Sequence, residues 1–109
     1  MPEDATTHHL LGRLCFNIAS IGWMERKIAA SLFGEPPKIT FEETLQHFLN
    51  AHRFRPNFHK NTLWIGHTYA KLGNKAEARS FFQLTIDMPT LSADDQKIQA
   101  EARTSLSKI

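Results

Sequence analysis

Residues 57–89 read NFHKNTLWIGHTYAKLGNKAEARSFFQLTIDMP, and that stretch encodes two helices joined by a glycine turn. Ile65, Tyr69 and Leu72 recur at four- and three-residue spacing, and Ala78, Phe81, Phe82, Leu84 and Ile86 form a second apolar set. This is the spacing of helix faces turned toward a core. Gly73 suits the left-handed stop after the first helix, expected from about Asn57 to Leu72. Asn74 is placed to cap the second, which ends near Met88-Pro89 because proline cannot continue a helix.

The signals continue outward in both directions. Thr40 with Glu43 makes a capping box for a helix carrying Phe41, Leu45, Phe48 and Leu49 and ending by Pro56. Further back, Leu10, Leu11, Leu14, Cys15 and Ile18 predict a helix over roughly Ala5 to Ser20. Beyond Gly22 comes an amphipathic segment with Met24, Ile28 and Leu32 on one stripe and Trp23 and Phe33 at its ends. Gly34 to Pro37 stops it. Ser92 and Asp95 open a polar last helix on which only Ile98, Ala102, Leu106 and Ile109 align. No segment alternates with period two, so the expectation is all-α, one domain over 1–109.

An internal repeat sharpens the fold. Thr44, Phe48, Ala51 and Pro56 recur as Ala78, Phe82, Thr85 and Pro89, about 34 residues on, the tetratricopeptide period. Gly66, Tyr69 and Gly73 fill the small, aromatic and turn positions of that repeat's first helix. A small residue at Gly66 admits a close neighbour, and Tyr69 and Phe82 fill the layer between. Upstream, Leu11, Gly12 and Cys15 match a first helix whose second is Thr44 to Phe54. Gly12 and Thr44, however, are 32 residues apart, where a standard repeat has about 12. The Trp23–Phe33 segment is the insertion. The expected architecture is a tetratricopeptide-like solenoid of about six helices in antiparallel pairs, with an inserted helix and a C-terminal capping helix. An unrelated six-helix bundle is the alternative.

Composition narrows function by exclusion. With 41% hydrophobic and 22% charged residues, the chain has the balance of an ordinary folded domain. No apolar run is long enough to span a bilayer and no signal-peptide pattern opens the chain. The lone Cys15 reads as a buried packing thiol in a reducing interior. Six histidines raise the question of zinc, but His47, His52, His59 and His67 lack the i, i+4 spacing of helical ligand pairs. Asp94 and Asp95 suit the first turn of a helix as dipole partners. No nucleophile–base pair or phosphate-cradling loop is present, so neither enzyme nor cofactor is expected. Basic and aromatic residues interleave from Arg53 to Lys71, yet no nucleic-acid module is matched, and no nucleic-acid partner is expected.

Several strings go beyond a generic repeat. HLLGRLCF (9–16), WMERKIA (23–29), ETLQHFLNA (43–51) and DDQKIQAEA (94–102) resemble the regulator of microtubule dynamics family, and the likeness runs from Thr7 onward through the inserted helix and the Pro-Pro loop. The resemblance implies a cytoplasmic, microtubule-associated protein of the cytoskeleton, acting at the spindle and in chromosome segregation. A vertebrate relative on the mitochondrial outer membrane, linked to membrane contacts and phospholipid binding, supplies the alternative. Family members usually carry further helices before this segment, so the resemblance implies the C-terminal part of a longer protein.

Charge and helical spacing together nominate a surface. From His52 to Arg79 six basic residues face one acid, Glu77. Lys60, Trp64, His67 and Lys71 fall on one side of their helix, away from Ile65, Tyr69 and Leu72. His9, Arg13 and Asn17 occupy comparable outward positions on the first helix. Together they predict a basic groove with one aromatic platform, able to hold an acidic extended peptide such as a tubulin tail. The rival partner is a phospholipid, in an apolar cavity between the inserted helix (Trp23, Met24, Ile28, Leu32) and its neighbours.

Overall fold

Six helices follow one another in the computed structural model, which describes residues 4–109: α1 (Ala5–Ala19), α2 (Trp23–Phe33), α3 (Phe41–Phe54), α4 (His59–Lys71), α5 (Lys75–Asp87) and α6 (Ala93–Ser107). The described residues contain no strand. Each stop and start signal acts through identifiable atoms. Gly73 takes φ 80°, and the amides of Gly73 and Asn74 bond to the carbonyls of Ala70 and Tyr69 at 3.1 and 2.9 Å. That is a complete Schellman stop, which the absence of a Cβ makes cheap. Thr40, Asn74 and Ser92 accept from the amides of Glu43, Glu77 and Asp95 at 3.1 to 3.2 Å.

The helices pair as the repeat requires. Late α3 residues meet early α1 residues, His8 with Phe54 and His9 with Phe48, while Phe16 meets Phe41 at the other end. α1 and α3 are therefore antiparallel across the inserted α2. α4 and α5 pair likewise, through Gly66 with Phe82 and Thr62 with Thr85. α6 runs back along α5, tied by Gln99. Its amide nitrogen reaches the carbonyls of Thr85, Ile86 and Met88, satisfying the end of α5 where no helical partner remains.

Both hairpins depend on a glycine. A Cβ at Gly12 would stand 2.5 Å from the Phe48 ring, and one at Gly66 would stand 2.5 Å from the Phe82 ring. Phe48 and Phe82 are fully buried, so each ring fills the space a side chain would claim. Ile65, Leu45 and Phe16 complete the core around Phe48, and Leu63, Ala78 and Ala102 complete the one around Phe82. Tyr69 packs against both. Thr44, Thr68 and Thr85 are buried with their hydroxyls bonded to the carbonyl one turn back. The Thr62 hydroxyl lies 3.0 Å from the His59 carbonyl and 2.7 Å from the Thr85 hydroxyl, so the two protons of this pair serve three acceptors and one of the hydroxyls accepts from the other when it donates. No buried hydroxyl among these four is left without a partner.

The facing of α1 is decided here, and two expectations change. The leucines of α1 do not face the core: Leu10 and Leu14 are 61% and 56% exposed, and the packed face is Ala5, His9, Gly12 and Phe16. The requirement that Gly12 meet Phe48 fixes that rotation. Cys15 is half-buried rather than buried. Burial and the nearby Glu43 carboxylate push its thiol up, which keeps it neutral and unreactive. α2 buries no residue and packs on no other described helix. Arg26 ties it to the Pro36 and Pro37 carbonyls, and Trp23, Met24, Ile28, Leu32 and Phe33 remain more than half exposed. The apolar cavity expected between α2 and its neighbours does not form.

The glycine contacts are directly testable. Alanine favours a helix over glycine by about 1 kcal/mol, so Gly12→Ala or Gly66→Ala on an open face would stabilise. Here each is expected to destabilise by about 1–3 kcal/mol, because the added methyl overpacks a fixed ring. Urea unfolding of the two variants against wild type measures it.

Candidate functional site

α1, α4 and α6 lie side by side and make one face of the molecule, with α3 and α5 behind them. The links that set this order are His9 Nδ1 to Asn61 Oδ1 at 2.9 Å, Phe16 against Trp64 at 4.9 Å, and His67 Nε2 to Glu101 at 3.0 Å. On this face a recess of about 430 Å³ is lined by Phe16, Trp64, His67, Ala70 and Lys71.

Trp64 is the centre of the recess. The Arg13 guanidinium sits 4.0 Å from its ring centroid, and Phe16 and His67 meet it edge-on, each at 4.9 Å. His67 in turn stands edge-on to Phe82 at 5.2 Å. The indole is thus held from three sides, partly buried against the core around Phe48. Arg13 is oriented by the indole face rather than by an acid, and its Nε has no hydrogen-bond partner. Lys71 is exposed at the rim. The arrangement presents cationic donors around an apolar platform.

The residues nominated from sequence are distributed unequally. Trp64, His67 and Lys71 line the recess and Arg13 covers the indole. Lys60 lies apart, in a second recess of about 230 Å³ shared with Asp94, Lys97 and Ile98. Asn17 is exposed on α1 but does not line the recess.

His9 is not on the groove at all. It is 3% exposed and wedged between Phe48 and Phe58. The Asn61 amide nitrogen donates to the Phe48 carbonyl, which turns the Asn61 oxygen toward His9 and makes His9 Nδ1 the donor. The glycine alignment explains the miss. Gly12 and Gly66 are equivalent, so His9 matches Leu63, itself buried, whereas counting by fours had grouped it with Arg13 and Asn17. The same alignment pairs Phe16 with Ala70, and both line the recess. Glu101 was also overlooked. It lies 34 residues beyond His67, so one more step of the repeat period would have found it.

A family model, Regulator of microtubule dynamics protein 1-3, matches residues 1–109. The chain belongs to the regulator of microtubule dynamics family. It is 43% identical over 102 residues to Regulator of microtubule dynamics protein 1 of Bos taurus, covering 93% of this chain and 32% of that protein. The Homo sapiens protein of the same name is 42% identical over the same shares. Regulator of microtubule dynamics protein 3 of Xenopus laevis is 39% identical over 97 residues, covering 88% of this chain and 21% of its own length. The chain spans about a third of the length of the first of these family members. No helix among the described residues is long and apolar enough to cross a membrane.

Histidine burial gives the stability of this chain a pH dependence. Desolvation holds His9 below its ordinary value of 6.5 against the opposing Asn61 hydrogen bond, and the positive Arg13 and Lys60 add to the lowering. Burial lowers His52 in the same direction. The unfolded chain therefore binds protons that the folded chain refuses, so stability is complete above about pH 6.5 and falls as the pH drops below it. The melting temperature is expected to decrease between pH 7.5 and 5.5. His9→Gln should flatten part of that slope while lowering stability at pH 7.5.

Proposed function

We propose that this chain is a non-catalytic, microtubule-associated interaction module that holds an acidic, extended peptide against the face made by α1, α4 and α6. The observation that carries the reading is the rigid Trp64 platform with Arg13 stacked on it and His67 and Lys71 around it. An extended acidic segment laid across that face gains charge-assisted hydrogen bonds from the cations and stacking area from the indole. Membership of a family whose curated members are named as regulators of microtubule dynamics makes the acidic tails of tubulin the partner to test first. On this reading the protein works in the cytoplasm at the cytoskeleton, in spindle organisation and chromosome segregation.

A second reading rests on α2. Its Met24–Ile28–Leu32 stripe, with Trp23 and Phe33, is exposed beside Lys27. A helix with such a face can lie in the interface of a phospholipid membrane, which would place the module at a membrane contact site such as the mitochondrial outer membrane.

Each reading has a direct measurement. Co-sedimentation with microtubules should weaken when protease removes the tubulin tails, and Arg13→Glu with Lys71→Glu should weaken it by about tenfold or more, roughly 1.4 kcal/mol. Binding indifferent to both changes defeats the groove. In flotation with phosphatidylcholine–phosphatidylserine vesicles, wild type should float and Ile28→Glu with Leu32→Glu should not. Absence of wild-type flotation removes the second reading.

A further inference from the structure

α6 brings acids of the wrong sign for an acidic partner to the proposed binding face: Asp94 stands in the second recess, and Glu101 stands beside the first. Glu101 projects from α6 to His67 Nε2 at 3.0 Å, at the edge of the recess that Phe16, Trp64, His67, Ala70 and Lys71 line. Its side chain is 55% exposed, whereas the imidazole is 23% exposed. The carboxylate is held by one solvent-facing hydrogen bond, and a bond of that kind contributes only about 0.5–1.5 kcal/mol. Nothing structural requires it: α6 is fastened by Gln99 and by Ala102 in the core behind Phe82. His67 is braced independently by Trp64 and Phe82.

We infer that Glu101 is a resident competitor, occupying at His67 the position that a carboxylate of the bound partner takes. The inference rests on the reading of this face as the acceptor of an acidic peptide and adds to it where one acid of that peptide binds. Arg13 has no acidic partner among its described contacts and packs on the Trp64 ring from α1. Lys71, exposed on the same rim, likewise has no described ion pair. An entering peptide therefore meets open cations at Arg13 and Lys71 but must displace Glu101 to reach His67. The consequence is selectivity: a segment dense in acids offers the replacement carboxylate at high local concentration, whereas a sparsely charged one leaves Glu101 in place. Affinity is kept low, and the contact can exchange rapidly.

Fluorescence anisotropy with a labelled polyglutamate peptide at low salt tests this on the whole chain. Glu101→Gln, which keeps the shape and a hydrogen bond to His67, is expected to tighten binding about fourfold, the effect of removing one unit charge about 5 Å from an incoming carboxylate in water. Glu42→Gln makes the same change of net charge on the exposed first turn of α3 and is expected to leave affinity unchanged. Wild-type affinity in Glu101→Gln, or an equal gain in Glu42→Gln, overturns the competitor while the groove survives. Absence of peptide binding in all three proteins removes the groove itself and this inference with it.

Discussion

Two rings pressed onto two glycines set the geometry of everything else. Phe48 lies against the place a Cβ of Gly12 would take and Phe82 against that of Gly66, so each ring seats directly on the bare backbone of the facing helix and α1 closes on α3, and α4 on α5, through that ring. Close approach fixes rotation as well as distance. Once Gly12 must face Phe48, His9 and Phe16 turn inward one turn to either side, Leu10 and Leu14 turn outward, and Arg13 is delivered to the side of α4. The same constraint at Gly66 points Leu63 inward and leaves Trp64, His67 and Lys71 on the opposite side. The recess is a by-product of these two contacts.

The two hairpins are joined by polar atoms as much as by apolar ones. Asn61 is fully buried on α4, accepting from His9 of α1 and donating to the Phe48 carbonyl of α3. Partnered amides of this kind rigidify an interface because breaking one bond leaves a buried donor or acceptor stranded. His59 does similar work at the other junction, its Nε2 meeting the Pro89 carbonyl ahead of α6. A solenoid whose repeats touch only their neighbours needs such registers, since no central core spans the stack.

How much of this was legible follows from which signals are local. Helix limits were, because caps and stops act within a few residues: Thr40, Gly73, Asn74 and Ser92 behave as their residue types require. The repeat was legible because its period carries the glycine and aromatic positions with it. What failed was facing. On α1 the eye follows Leu10, Leu11 and Leu14 to a core, but those leucines are exposed and a histidine is buried. Only the partner ring across the hairpin decides that, and Phe48 lies beyond the α2 insertion. α2 misled for a related reason: its stripe predicts burial, yet no described helix covers it.

The repeat also explains the electrostatics of the α1–α4–α6 face better than a count of charges does. Gly12 aligned with Gly66 sets Arg13 in the slot of His67, and the 34-residue step sets Glu101 in that slot again. One structural position, repeated on α1, α4 and α6, therefore runs from a permanent cation through an imidazole to an anion, with Arg13 and His67 against Trp64 and Glu101 against His67. Lys60 and Asp94, also one period apart, repeat the reversal of sign in the second recess. Net basicity of the 52–79 stretch overstates how positive this face is, since α6 returns acids to it. Positive charge is concentrated at the α1–α4 end and fades toward α6, which gives the face a direction along the solenoid axis that a uniform basic groove would lack.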